Sequence, residues 1–371
     1  MQQNPAVELP IADVPIGVAA GWRQTLGRVL IVAASLVAAA VLAVQLLATF
    51  GLITVGFENW RPVAIAFLGW AVCLCASLVL TRGQRGEQAV FLLPAVLITL
   101  AFVIFPTIYA LFLAFHNWNL SAVTGRQFSG LDNFRRLFAD RAFWVSMQNM
   151  AYYVTAVMAQ YVIAYGLAIL LNQQIRGRKF FRVVFLLPFM LSPVAVSFMI
   201  GKSLLNSQYG PVVPALEWVG FTDISFYEDP WLARLNIMIM DAWYSIPFMM
   251  VLLLAGLQGI PGEVLESAKI DGASAWQTFR HMVFPLMLPI SLTAIILRVI
   301  FELKLIDVVR VVTGGGPGGA TDTVSLFIYR EGIQKTNVGY ASAMSQFYLL
   351  VIIISITVVL WLANKWVQKV S

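Results

Sequence analysis

Two sets of polar residues stand out from an otherwise apolar chain, and each is spaced for a different chemistry. The first is Asp241 with Ser245 and Arg298 with Glu302, each pair four residues apart, with Lys304 close behind. Residues four apart share a helix face, so each pair presents its polar groups in one direction. Ionisable side chains are costly inside lipid and are kept there for function. Matching polar faces on two neighbouring helices therefore make a candidate ligand site. Arg298 admits two readings: its guanidinium offers a planar fork of five donors to an anionic or highly hydroxylated ligand, or it neutralises Glu302 one turn on. Trp243 reads as packing.

The second set lies in "ESAKIDGASAWQTFRHMVFPLMLP", residues 266–289. Glu266 and Asp271 alternate there with small residues around Gly272, before Pro285 and Pro289 restart an apolar run. As a helix, residues 266–271 fill about one and a half turns. Gly272 lets the backbone change direction without a Cβ clash, and the prolines mark the start of the next helix. The pattern predicts a helix, a bend and a second short helix lying on the membrane surface. Its small face (Ser267, Ala268, Ala273, Ser274), with Glu266 beside it, suits a groove on a soluble partner where a basic residue meets the carboxylate. A plain connection between two spans would fit the composition equally well.

What holds these residues follows from composition. The 371 residues are 60% hydrophobic and 11% charged, with mean hydropathy +0.82, against about 25% charged in soluble domains. This is an integral membrane protein. A net charge of +6 from scattered residues forms no phosphate-tracking stripe, so nucleic acid is not a partner. Cys73 and Cys75 fit neither a disulfide framework nor a CxxC pair, and His116 and His281 form no ligand set. The "GKS" at 201–203 has Val196 where a phosphate-binding loop needs glycine, and no preceding strand. No catalytic constellation emerges, so neither catalysis, a cofactor nor a metal is expected in this chain.

A helical span needs about 20 apolar residues. Eight runs qualify, at 29–53, 63–80, 89–115, 143–171, 183–201, 235–258, 286–306 and 341–363, which predicts an all-α fold with both termini on one side. The first run reads as a retained anchor, because it leads to a second span. Basic residues crowd into short connections such as "RGRKFFR" at 176–182; that bias puts both termini in the cytoplasm. The long connections after the third, fifth and seventh runs, including "GGGPGG", then face outward and read as folded. No internal repeat is visible.

Residues 266–289 resemble the coupling loop of ABC-importer permeases, in which Glu-Ala-Ala, two residues and Asp-Gly-Ala precede a Phe six positions on and a pair of prolines. This chain supplies Glu266, Ser267, Ala268, Asp271, Gly272, Ala273, Phe279, Met282, Phe284, Pro285 and Pro289. It departs from the pattern only by Ser267 for Ala and Phe284 for Leu. A second stretch, "VVTGGGPGGATDTVSLFIYREG" at 311–332, is similar to the Gly-Gly-Pro connection of sugar permeases of the maltose-transporter type. "LDNFRRLF" at 131–138, "FFRVVFLLPFMLSP" at 180–193 and "DAWYSIPFMMVLLLAGLQGIP" at 241–261 extend the likeness from about Phe91 to the C-terminus.

The resemblance implies eight transmembrane helices. Residues 1–88 would hold the cytoplasmic N-terminus and two accessory helices, and residues 89–371 a six-span type I importer core with its coupling loop at 259–285. It implies one permease subunit of a carbohydrate importer in a bacterial or archaeal inner membrane. The partners would be a second permease, two ATPase subunits carrying ATP and Mg, an external solute-binding protein and membrane lipid. Glu266, Ser267, Ala268, Asp271, Gly272, Ala273 and Phe279 would couple to the ATPase. The family's sugar-contacting positions fall on Asp241, Tyr244 and Ser245, on Arg298, Glu302 and Leu305, and on Phe189 and Pro193. Several amides and a hydroxyl of the maltose type are replaced here by charges, so maltose itself is not implied. The rival is an ion-gradient transporter with residues 241, 298, 302 and 304 as its relay; a non-transporting scaffold would leave the coupling loop unused.

Overall fold

The computed structural model describes residues 21–370 other than 50–52, 54, 55, 58, 60, 124, 222 and 223. The polar stretch before residue 21 and the end of the first apolar run therefore lie outside the described residues. The chain forms two compact units, one ending at Thr107 and one beginning at Ile108.

In the first unit, α1 (Gly21–Thr49) and α2 (Arg61–Arg82) pack side by side. Trp70 donates its indole Nε1–H to Ser35 Oγ at 2.9 Å across that pair, which satisfies a polar group that lipid cannot. Helix α3 (Gln84–Thr99) packs against α2. It continues through a π-helical turn at Leu100–Ile104 into α4 (Phe105–Ala114), so that the third span, Gly86–Ala114, runs across the unit boundary. Leu36, Leu68, Phe91 and Phe102 are exposed on these helices, as suits side chains that face lipid.

The second unit carries both polar sets. A two-stranded antiparallel pair, β1 (His116–Asn117) and β2 (Gln127–Phe128), leads to α5 (Asp132–Ala139) and α6 (Arg141–Asn172). Asp140 caps α6, accepting from the amides of Ala142 at 3.0 Å and Phe143 at 3.4 Å; a carboxylate here also meets the positive end of the helix dipole. After α7 (Arg178–Met190), α8 (Pro193–Val196) and α9 (Val212–Trp218), α10 (Pro230–Gln258) begins in the same way. Asp229 accepts from Trp231 N at 2.8 Å and Leu232 N at 2.7 Å, and Pro230 occupies a position where no helical N–H is needed. Then come α11 (Gly262–Ile270), α12 (Ala275–Thr278), α13 (Phe284–Glu302), α14 (Asp307–Val312), α15 (Val324–Tyr329) and α16 (Val338–Val370).

Helix α10 is the centre, packing on both α6 and α13. Its Gly256 lets α13 approach: a Cβ there would stand 2.7 Å from Ile290 Cδ1 and 2.9 Å from Met287 Cε. Small residues at such contacts bring helices close where lipid removes the hydrophobic drive for association. One core cluster joins Phe143, Tyr153, Ile237, Met240 and Val309; a second joins Ala164, Leu171, Met249, Leu253 and Met287.

Among the described residues seven helices are long and apolar enough to cross a membrane, and the bent pair Arg178–Met190 and Pro193–Leu204 makes an eighth if counted as one span. The fifth run, expected as one helix over 183–201, is in fact broken by a 97° bend. Leu191 and Ser192 take extended backbone, ψ 156° and 137°, because the residue before a proline is pushed out of the helical region and Pro193 then starts the next helix. The seventh run, expected over 286–306, begins earlier and ends earlier, as a span over Ala275–Glu302.

Candidate functional site

The break at residues 191–192 places Phe189 and Pro193 on either side of a corner, and both line one cavity of about 330 Å³. Helix α10 contributes Asp241, Tyr244, Ser245 and Phe248. The end of α13 and the turn after it contribute Arg298, Phe301, Lys304, Leu305 and Ile306, and α14 adds Asp307 and Val308. Seven of the eight residues that the resemblance assigned to ligand contact therefore share one wall; Glu302 sits just behind it. A discontinuous helix lining a polar cavity is how membrane proteins tolerate irregular backbone.

Buried polar groups form the floor. Asp241, Arg298 and Glu302 are 5%, 2% and 1% exposed, so their charges must be paired within the protein. The Arg298 Nη2 donates to Asp241 Oδ2 and to Glu302 Oε2. Its Nε donates to Gln160 Oε1 at 3.0 Å, and Gln160 Nε2 donates to Asp241 Oδ2 at 2.8 Å. Ser245 Oγ reaches Asp241 Oδ1 at 3.4 Å. Three helices, α6, α10 and α13, thus meet in one network. Arg298 does neutralise Glu302, and it also bridges to Asp241 on another helix.

The remaining wall is aromatic. Phe189 lies 5.6 Å from Tyr244 and 5.5 Å from Phe248, ring centre to ring centre, and Phe248 meets Phe301 edge-on at 6.1 Å. Such faces accept the C–H side of a ring-shaped polar ligand while polar groups reach its hydroxyls. Lys304 falls outside α13, contrary to its expected place within a span. Leu303 N still closes a helical turn on Val299 O, whereas Lys304 N and Leu305 N close tighter turns on Phe301 O and Glu302 O. The helix unwinds before the ammonium is reached, which leaves Lys304 exposed at the cavity rim. Gln160 was missed by reasoning from charge, although a buried amide inside a span is itself a signal. Trp243 is not part of the lining.

The other polar set forms the expected helix and bend, but its second helix is not a separate surface piece: α12 runs through a π-helical turn at Phe279–Val283 into α13 as the start of the span Ala275–Glu302, because Pro285 falls where no helical N–H is needed and does not interrupt it. Asp271 and Gly272 make the turn, with Gly272 at φ +73°. Ser274 then opens α12 with a reciprocal cap: its Oγ accepts from Gln277 N at 3.3 Å, and Gln277 Oε1 accepts from Ser274 N at 2.8 Å. This is the capping box that a Ser with Gln three residues on encodes. Glu266, Ser267 and Asp271 are exposed, Ala273 and Phe279 are half-buried, and Ala268 is buried. Phe279 anchors the segment by packing on Tyr165, Trp276 and Phe284, at 5.8, 5.6 and 6.0 Å between ring centres. Ile270 and Trp276 remain 86% and 64% exposed, an apolar surface beside free carboxylates.

Residues 160–371 match the family described as binding-protein-dependent transport system inner membrane component. The chain belongs to this family. Among its curated relatives, the trehalose/maltose transport system permease protein MalF of Thermococcus litoralis is 33% identical over 269 residues, covering 72% of this chain and 90% of the relative. The multiple sugar-binding transport system permease protein MsmF of Streptococcus mutans is 30% identical over 272 residues, covering 73% and 92%. The fold is shared with a bacterial ABC transporter involved in the import of the acidic polysaccharide alginate, with TM-score 0.66 in its complex with a pentasaccharide-bound periplasmic protein, 21% identity, and coverage of 84% of this chain and 99% of that one. The permease is thus a multi-pass, all-α membrane component of the carbohydrate ABC-importer type, and the ion-gradient alternative has no support among its relatives.

Proposed function

We propose that this permease is one of two membrane subunits of an ATP-driven importer that carries a sugar or related polyhydroxylated solute into the cytoplasm. Two ATPase subunits binding ATP and Mg hold its coupling segment, both termini face the cytoplasm, and an external binding protein delivers the solute. Residues 1–88 serve as the accessory part and 89–371 as the working core. The observation that carries this reading is the exposed coupling segment, with the family's residues at 266–279 on a capped, glycine-turned pair of helices. Closure of the ATPases on ATP draws the two docked segments together. The spans transmit that motion to the cavity at Asp241, so access alternates between the two sides. Polyhydroxylated ligands suit the cavity because its aromatic wall and its acceptors, Asp241 and Ser245, sit together.

The test is ATP-dependent uptake by Glu266→Lys in the assembled transporter. Reversal of charge at an exposed position leaves the chain folded and removes the attraction to a basic groove, so uptake falls and the ATPase subunit is lost on purification. Full uptake with the ATPase retained would refute the coupling role.

A further inference from the structure

Outside the cavity, Arg234 is held in a fixed pose while its charge is left unpaired. It lies early in α10 and is half-buried. Its Nε donates to Asn149 Oδ1 at 3.1 Å, and its guanidinium carbon stands 4.8 Å from the ring centre of Trp231 and 5.5 Å from that of Tyr152. The two rings are themselves 5.3 Å apart, centre to centre, and Gln148 Nε2 donates to the Tyr152 hydroxyl at 2.9 Å. One hydrogen bond and two aromatic neighbours thus fix the guanidinium. Its terminal amines, Nη1 and Nη2, have no partner among the described residues and reach the surface. No carboxylate among those residues lies within 4.0 Å of them.

The free edge of such a fork matches the two oxygens of a carboxylate. The chain's own acids near it are engaged elsewhere. Asn149, fully buried, donates its Nδ2 to Gly319 O and Asp322 O, both at 3.0 Å, but both carboxylate oxygens of that Asp322 accept from Arg330, at 2.9 and 3.0 Å. Asp229 is taken up by the cap of α10. A sugar fits less well than an acid, because the guanidinium already lies over the rings on which it would stack. Trp, Tyr and Arg are the residue types that dominate the energetic centres of protein interfaces, and Trp231 is 60% exposed. The position is also tied to the cavity. Thr323 Oγ1, at the end of the loop that Asn149 holds, donates to the carbonyl of the cavity-lining Leu305 at 2.8 Å.

We propose that Arg234 receives a carboxylate of the external binding protein, with Trp231 and Tyr152 setting the pose of its fork. This rests on the transport reading above, in which the start of α10 faces outward, and it gives that partner a contact point on this chain. The docked anion then sits one side chain, Asn149, away from the loop whose end is bonded to the cavity rim.

The experiment measures the binding protein, purified with whatever solute it carries, on the complete transporter in nanodiscs by biolayer interferometry. Arg234→Gln removes the charge at a half-buried position, and the Kd for the binding protein should rise at least about tenfold, the equivalent of about 1.4 kcal/mol. An unchanged Kd overturns the inference and leaves the transport reading standing; if ATP-dependent uptake is lost at that unchanged Kd, the fork serves an acidic solute instead. Should Arg234→Gln fail to assemble, Arg234→Lys is measured in its place. It keeps the charge and loses the fork, so the Kd should still rise several-fold, and an unchanged value again overturns the inference. Charge exchange then finds the carboxylate. Arg234→Glu should lose binding, and one Asp→Lys or Glu→Lys change on the binding protein should restore it; restoration by none of them overturns the inference. A wild-type transporter that neither binds such a protein nor hydrolyses ATP faster in its presence removes the transport reading itself, and the inference with it.

Discussion

The cavity floor and the coupling segment both hold carboxylates, yet they use them in opposite ways. Asp241 and Glu302 are buried and held by Arg298, whereas Glu266 and Asp271 are exposed and form no ion pair among the described residues. Burying a charge is tolerated only with a partner in contact; leaving one in water costs nothing and keeps it for another molecule. The first pair is spent on holding three helices in register. The second remains available to a neighbouring chain.

The sharpest way to break this contrast is Arg298→Leu. It leaves two buried carboxylates without their cation, and removing one partner of a buried pair costs about 3–5 kcal/mol. Loss of the folded chain from detergent extracts, read by fluorescence size-exclusion chromatography, is the expected outcome. The triple change Arg298→Leu, Asp241→Asn, Glu302→Gln removes all three charges together and should recover much of that loss. Failure to recover would mean that Arg298 acts through something other than the pair.

Packing between the helices that carry the floor comes next. Gly256→Leu forces a side chain against Ile290 and Met287, and overpacking typically costs about 1–3 kcal/mol, which a lowered melting temperature of the purified complex would register. At the coupling segment the effects on stability are smaller. Gly272→Ala meets no neighbouring atom but adopts φ +73°, a left-handed conformation that costs an alanine about 1–2 kcal/mol. Ser274→Ala removes one half of the cap, at about 1 kcal/mol. Both variants should lower ATPase retention more than they lower the melting temperature. The reverse ranking would make this segment a structural brace.

The two regions also differed in how far the sequence disclosed them. The helix and turn of the coupling segment were legible because the signal at Gly272 is local; the cap of Ser274 with Gln277 is equally local, but reading Ser274 only as a small residue passed over it. Pairing along one helix was equally visible, as with Arg298 and Glu302 one turn apart. Contacts between helices were not, because spacing along the chain says nothing of which faces meet. The Arg298 bridge to Asp241 and the part played by Gln160 follow from how α6, α10 and α13 pack. The corner at residues 191–192 was hidden by hydropathy, which runs unbroken through "LLPFMLSP", although the proline carried the signal. The end of α13 before Lys304 was hidden likewise, since an apolar count takes no notice of where the backbone unwinds.

The claim that the coupling segment waits for a neighbouring chain is tested most directly at Ser267, which is exposed on α11. With Cys73 and Cys75 replaced by Ala, Ser267→Cys in the assembled transporter should react with a water-soluble maleimide when this chain is alone and become protected when the ATPase subunits are bound. A short bifunctional cross-linker should then join it to them. Equal labelling in both states, with no cross-linked product, would contradict the account.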